Sequence, residues 1–390
     1  MKRTLLWAAV LMTMVSSFAF SQDGGLNIFG YFQSSFYRYT NHNSNEVQTS
    51  FNMNQLNLLL QKDFGSDFSA FVNFELTNTF DTKRGWGRYK IEEAWVKYTY
   101  ADWLNVRAGL LIPRFNNLNE IKNRTPLLLY AFRPIAYETT IDGIITLEDY
   151  APGQAFFQVD GFVPLGALNV DYAAYVGNSE SGYINTDGEI YSPSGVDYTP
   201  LKLVGGRLGA RYGATKAGVS FTHDRDYRRE PILTANQFGP GFPPVDLATL
   251  GDLVRTRLGF DFSTSLYGFS FEGEYTKVST DPTTVQQQAL DQLKLFTGGL
   301  YGNTIEKTFY YANLGYDVFS NTTVYAGYSY LEEKLESFIA DGLPSYTAGI
   351  TFRPIDQIAL KAQYITFKLN NTQTVNVDFE YIYAAVSVYF

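Results

Sequence analysis

The sequence predicts an all-β chain closed into a transmembrane antiparallel barrel of about sixteen strands. Three observations carry that prediction. Apolar and polar residues alternate with the two-residue strand period from Leu26 to Phe390. The connections alternate between tight turns and long loops, as in barrels that cross a membrane. The last nine residues form a strand of their own, with Ile382, Ala384, Val386, Val388 and Phe390 on one face and Tyr383, Ala385, Ser387 and Tyr389 on the other. Such a strand can pair with the first and leave no open edge.

The chain begins with Lys2 and Arg3 followed by an apolar run from Leu5 to Val15, too short to span a bilayer as a mature helix. Ala19 and Ser21 have the spacing of a signal peptidase site, so residues 1–21 read as a secretory signal peptide and 22–390 as the mature barrel domain. Only residues 22–25 stand before the first strand, which leaves no room for an internal plug.

Alternation then places strands near 26–40, 49–63, 66–80, 89–101 and 103–112. After a long connection come 154–164, 167–177, 202–212, 216–225, 253–263 and 266–280. The last five lie at 304–317, 321–336, 343–353, 356–370 and 377–390. Tight turns are expected at Gly65, Ala101–Asp102, Leu165–Gly166, Gly213–Thr215, Thr264–Ser265, Phe319–Ser320 and Pro354–Ile355. An even strand count returns both termini to one side of the membrane. A further apolar stretch, 141–147, breaks that parity and is assigned to the long connection.

Charge separates the two faces. Arg255 and Arg257 alternate with Val254, Thr256, Leu258, Phe260 and Phe262. An arginine facing hydrocarbon at the midplane costs about 2–4 kcal/mol, so the arginines point inward. The same logic turns Arg207, Arg211, Lys361 and Gln363 inward, against outward Val204, Leu208, Ala210, Tyr212, Leu360, Ala362 and Tyr364. Inward acids are Glu75, Glu93, Asp160, Asp171, Asp224, Glu272, Glu274 and Asp317. Sixteen strands enclose a space wide enough for an aqueous channel, and a polar, mixed-charge lining implies water inside it.

The longest connection, 113–153, opens with Pro113, Arg114 and Phe115 and carries Lys122, Arg124 and Arg133 beside Glu120, Glu138 and Asp142. Long unpatterned loops in compact folds are commonly functional. Its apolar stretch, 126–130, calls for packing, either inside the barrel or against another subunit. Folded inward, Arg114, Lys122, Arg124 and Arg133 would join Arg107, Arg207, Arg211, Arg255 and Arg257 in a net basic constriction, where a low-dielectric pore focuses local charge. Residues 178–201 and 226–252 read as exposed loops. Residues 284–296 set Leu290, Leu293 and Phe296 at helical spacing, a short loop helix.

Composition excludes several functions. Tyr 30 and Phe 31 accompany a mean hydropathy of -0.15, as expected for apolar surface dispersed along strands. Net charge is -9, and loss of Lys2 and Arg3 with the leader makes it -11, which argues against a nucleic-acid partner. With Cys 0 and His 2, neither a cysteine nucleophile nor a histidine-rich metal site is available, and no cofactor is expected. Ser220, His223 and Asp224 fail as a triad, because alternation turns His223 away from the other two. Glu272 and Glu274 share a face like a glycosidase pair but read as wall charges lining water. The glycines at 205, 206 and 209 precede no Lys-Ser/Thr and mark close backbone approach. No enzymatic activity is expected.

The stretch Glu92-Glu93-Ala94-Trp95-Val96-Lys97-Tyr98, with Leu104-Asn105-Val106-Arg107-Ala108-Gly109 and Pro113, resembles the strand four to strand five hairpin of the phosphate-selective porin O and P family. Tyr389-Phe390 looks like that family's signal to the barrel-assembly machinery. The resemblance implies a homotrimer of water-filled barrels in the lipid of a Gram-negative outer membrane, each narrowed by its third outer loop. Inward acids at Glu75, Glu93, Asp261, Glu272 and Glu274 depart from the family's basic lining and weigh against phosphate. The expected function is passive diffusion of small hydrophilic solutes with an anion preference set by the nine basic residues above. A sugar or aromatic-solute channel using Tyr325, Phe309 and Tyr311 as an apolar track is the alternative, and a non-conducting structural or adhesive barrel the remoter one.

Overall fold

A computed structural model describes residues 25–78, 88–138, 150–179, 183–184, 190–191, 201–226, 253–288, 291, 306–333, 342–370 and 376–390. The leader 1–21 and the segment 141–147 lie outside them. The wall begins with β1 (Asn27–Asn41), β2 (Glu46–Phe64), β3 (Phe68–Asn78), β4 (Arg88–Ala101), β5 (Leu104–Leu111), β6 (Ala155–Leu165), β7 (Leu168–Gly177) and β8 (Leu203–Tyr212). It continues with β9 (Thr215–Asp226), β10 (Leu253–Leu266), β11 (Phe269–Asp281), β12 (Glu306–Phe319), β13 (Thr322–Glu333), β14 (Leu343–Ile355), β15 (Ile358–Asn370) and β16 (Asn376–Tyr389). Each strand pairs antiparallel with its neighbours in sequence, and β1 pairs with β16 to close the barrel. A small hairpin, Tyr183–Ile184 with Ile190–Tyr191, stands apart from the wall.

The closing seam runs from Tyr31 opposite Tyr389 to Asn41 opposite Phe379. Phe390 extends it by one more pair. Its N–H donates to the Gly30 carbonyl at 3.0 Å, and its carbonyl accepts the Gly30 N–H at 2.9 Å. The phenyl ring lies over Gly30, where an added Cβ would come within 2.9 Å of it. A side chain at position 30 would therefore displace the terminal ring.

Several tight turns are displaced from expectation, those after β4 and β6 by a single residue. The β10–β11 turn is Tyr267–Gly268, not Thr264–Ser265, and both residues have positive φ, 52° and 80°. That is the backbone twist a two-residue hairpin favours, but tyrosine is a poor advertisement for it. The β14–β15 turn is 356–357. Pro354 instead sits at a register shift between Phe352 and Ile355, where its missing N–H breaks no ladder bond. The β12–β13 turn falls at 320–321, one residue later than expected.

The two faces divide as the arginines require. Leu208, Leu258, Phe260, Phe262, Leu360, Tyr364 and Ile382 are exposed, whereas Arg207, Arg255, Arg257, Lys361 and Gln363 are buried. An apolar exterior of this extent exceeds what a water-soluble monomer presents. Near the tight turns it ends in exposed aromatics, among them Tyr100, Trp103, Tyr212, Tyr267 and Phe319, the arrangement of an interfacial girdle.

Of the helix expected over 284–296, residues 284–288 are helical. A reciprocal cap starts it. Thr283 N–H donates to Gln286 Oε1 at 2.8 Å, and Gln286 N–H donates to Thr283 Oγ1 at 3.3 Å. Leu290, Leu293 and Phe296 lie outside the described residues.

Candidate pore constriction

The connection between β5 and β6 is buried against the inner-face side chains of strands far apart around the ring. Phe115, Leu118, Ile135, Ala136 and Tyr137 are almost fully buried. Buried backbone must find partners, and here wall side chains supply them. Gln363 on β15 accepts the N–H groups of Ala131 and Phe132 at 2.8 and 2.7 Å and donates to the Phe132 carbonyl at 3.1 Å. From β1, Gln33 donates to the Ala131 carbonyl at 2.8 Å. Lys361 Nζ reaches the carbonyls of Thr125, Pro126 and Tyr130 at 2.9, 3.1 and 3.2 Å. Across the ring, Ser220 on β9 accepts the Asn116 N–H at 2.9 Å.

Glu274 on β11 is the tightest anchor. Its carboxylate accepts the N–H groups of Asn117 and Leu118 at 2.8 and 2.6 Å and the Tyr137 hydroxyl at 2.7 Å. Burial first, and the Glu274 charge second, push the Tyr137 phenol well above its ordinary pKa, so it stays protonated and remains a donor. Glu274 is thus not a wall charge lining water, because the loop covers it. Glu272 accepts from Asn313 at 3.0 Å.

The positive charges are largely answered. Arg114 Nε donates to both Glu120 oxygens at 3.1 Å, and its terminal nitrogen lies 3.2 Å from Asp160. Burial alone would lower the Arg114 pKa, but the Glu120 and Asp160 carboxylates outweigh it and hold the guanidinium above its usual value. Arg107 lies 3.5 Å from both Glu120 and Asp160. Arg133 lies 3.5 Å from Glu138 and donates to the Lys122 carbonyl at 2.6 Å. Lys122 itself is buried on the Asn119 amide oxygen at 2.9 Å.

In the wall, Arg207 donates to Asp261 at 2.9 and 2.7 Å and also to Asp171. Arg255 donates to Asp224 at 2.9 and 2.6 Å, and Arg257 joins the same carboxylate at 3.4 Å. Arg211 is exposed beside the Gly213 turn, at the rim rather than the constriction. The expected net basic constriction is corrected accordingly. Carboxylates pair with six of its nine residues, Arg107, Arg114, Arg133, Arg207, Arg255 and Arg257, the last two sharing Asp224. Replacing Asp224 with Ala takes the shared counter-charge from two buried guanidinium groups and is expected to cost about 3–5 kcal/mol, read from urea unfolding of the barrel in lipid vesicles.

Small residues let these groups lie flat on the wall. A Cβ at Gly218 would collide with the Arg207 guanidinium, and one at Gly259 with the Asn116 amide. Asn116 also holds φ at 53°, in the left-handed region that asparagine tolerates. Phe309, Tyr311 and Tyr325 are buried in one apolar cluster with Tyr137 and Phe132. They seat the loop and offer no open track, which corrects the aromatic-slide expectation.

Several anchors escape pattern reading. Gln55 donates to the Asn123 carbonyl, and Gln158 accepts the Arg114 N–H at 3.2 Å. An uncharged amide on the inner face was their one signal. Glu92 faces inward beside Glu93 because the register slips there: Asn73 opposes Glu93 while Phe74 opposes Ile91. Lys90 answers it and lies 3.3 Å from Glu75 as well, while the Asn123 amide donates to Glu92 at 2.8 Å. The Ser220, His223 and Asp224 trio is divided as expected: His223 meets Thr256 at 3.3 Å, and Asp224 serves the arginines.

No protein-family model matches this sequence, and no curated protein matches it. Solved structures do match in fold. An anion-selective porin from Comamonas acidovorans is 13% identical, with 94% of this chain and 100% of that chain covered at a TM-score of 0.58. The outer membrane channel DcaP of Acinetobacter baumannii is 12% identical, with 95% and 99% covered at 0.57. OprB of Pseudomonas putida is 10% identical, with 98% and 97% covered at 0.57. The resemblance to the O and P family therefore rests on the hairpin residues and the terminal Tyr389-Phe390 alone. What the solved structures share with this chain is its architecture: the chain has the fold of the porins, a closed barrel of sixteen antiparallel strands.

Proposed function

We propose that this chain is an outer-membrane porin, a water-filled channel for passive diffusion of small hydrophilic solutes, narrowed by residues 113–138 folded into the barrel. One observation carries this reading. A closed barrel with an apolar exterior holds a long segment against its polar inner face through the side chains of Gln33, Ser220, Glu274 and Gln363. Filtering is steric and electrostatic, without a covalent step. Since most arginines carry a carboxylate partner, selectivity among ions is mild and leans to anions through Arg124. The barrel assembles as a homotrimer in this reading.

Planar-bilayer recording under a salt gradient tests it. Stepwise conductance with a small reversal potential of anion sign is expected. A cation-sign potential overturns the anion preference, and absence of any conductance favours the structural or adhesive barrel. Chemical cross-linking in native outer-membrane fragments checks the trimer.

A further inference from the structure

One inner surface departs from the polar lining. Beside the tight-turn mouth, Phe29, Tyr31, Leu59, Phe71, Trp95 and Tyr389 surround a recess of about 460 Å³, within the size range of small-molecule sites. Residues from five strands meet there, Trp95 coming from β4. Phe29 and Tyr31 open β1, Leu59 lies near the end of β2, Phe71 near the start of β3, and Tyr389 ends β16. Its floor is fixed, because Phe71 stacks on Trp95 with ring centroids 4.9 Å apart and Arg107 covers the indole at 5.3 Å. Phe29 remains 36% exposed although it faces inward. The recess thus presents aromatic surface to the space within the barrel.

One cation completes the recess. Arg124, brought in by the long segment, lines it together with Leu127. Arg124 differs from Arg107, Arg114 and Arg133, since its guanidinium makes no ion pair among the described residues. Glu93 is engaged by the Trp95 indole N–H at 3.1 Å, and the Asn123 carbonyl next to Arg124 takes the Tyr31 hydroxyl at 3.1 Å. An inorganic anion would leave the rings unused, and an uncharged apolar molecule would leave the guanidinium without a direct partner, with only the nearby Glu93 charge acting on it. A planar anion satisfies both.

We propose that this recess binds a small aromatic carboxylate, its ring among Phe29, Tyr31, Phe71 and Tyr389 and its carboxylate on Arg124. This deepens the channel reading by giving the pore a subsite on its tight-turn side. The test is equilibrium dialysis of radiolabelled benzoate against the refolded full chain in detergent, with empty micelles subtracted and acetate and benzyl alcohol run in parallel. Saturable one-to-one retention of benzoate alone is expected. Arg124→Gln should weaken it about tenfold or more, the loss of one charge-assisted hydrogen bond. Tyr389→Leu, which removes a ring and keeps the charge, should weaken it as well.

Heat-dependent gel mobility first establishes that both variants are barrels. Equal retention of acetate or benzyl alcohol, or unchanged benzoate retention by Arg124→Gln, overturns the proposal. Dialysis reads binding whether or not the barrel conducts, so a silent bilayer would end the channel reading and leave this one to be judged separately.

Discussion

Replacing Glu274 and Gln363 together with Ala is expected to release the long segment from both sides of the barrel and raise single-channel conductance well above the parent value. Between them these side chains pair the N–H groups of Asn117, Leu118, Ala131 and Phe132, the Phe132 carbonyl and the Tyr137 hydroxyl. Each buried polar group left without a partner costs about 1–3 kcal/mol. The sum exceeds what the remaining contacts of an irregular segment can hold in place. The wall does not share the loss, because backbone ladders set its register from β1 to β16. The double variant should therefore fold, insert and pass larger current with more noise. Parent-like conductance from a folded double variant would show that residues 113–138 do not limit the pore.

Deleting Phe390 is expected to reduce sharply the fraction of chains that reach the outer membrane as closed barrels, while the barrels that do form conduct like the parent. The deletion removes the last backbone pair of the seam, both bonds with Gly30, and the ring that covers it. Phe390 lies outside the constriction, with 63% of its surface exposed. Heat-modifiable mobility in outer-membrane fractions measures the first effect and single-channel recording the second. Unchanged insertion would remove Phe390 as an assembly determinant, and altered conductance would give it a place in the pore.

The wall was legible because membrane barrels enforce a strict period and tolerate few errors in it. All sixteen strands lie close to where alternation puts them, and the inward direction of Arg255, Arg257, Lys361 and Gln363 follows from the cost of a polar group in lipid. Alternation fails where the backbone slips by one residue. Glu92 and Glu93 both face inward across such a slip, and Pro354 occupies another.

The site was less legible, for a different reason. Which residues are basic could be read directly, but whether Arg114 meets Glu120 and Asp160, or Arg207 meets Asp171 and Asp261, depends on distances between strands far apart in sequence. Glu274 shows the limit most plainly. Its inward orientation was visible, yet nothing local distinguishes a carboxylate in water from one receiving two loop N–H groups and a buried hydroxyl.

The way the wall grips the segment has a consequence for change over generations. Gln33, Ser220, Lys361 and Gln363 address main-chain atoms of residues 116–132, and main-chain atoms are the same whatever side chain a codon specifies. Under the channel function proposed above, substitutions at solvent-facing positions such as Arg124 or Leu127 alter what passes without moving the obstruction that it passes. In that reading the barrel is a fixed mount for an interchangeable aperture, so permeability can drift quickly under selection while the framework stays constant.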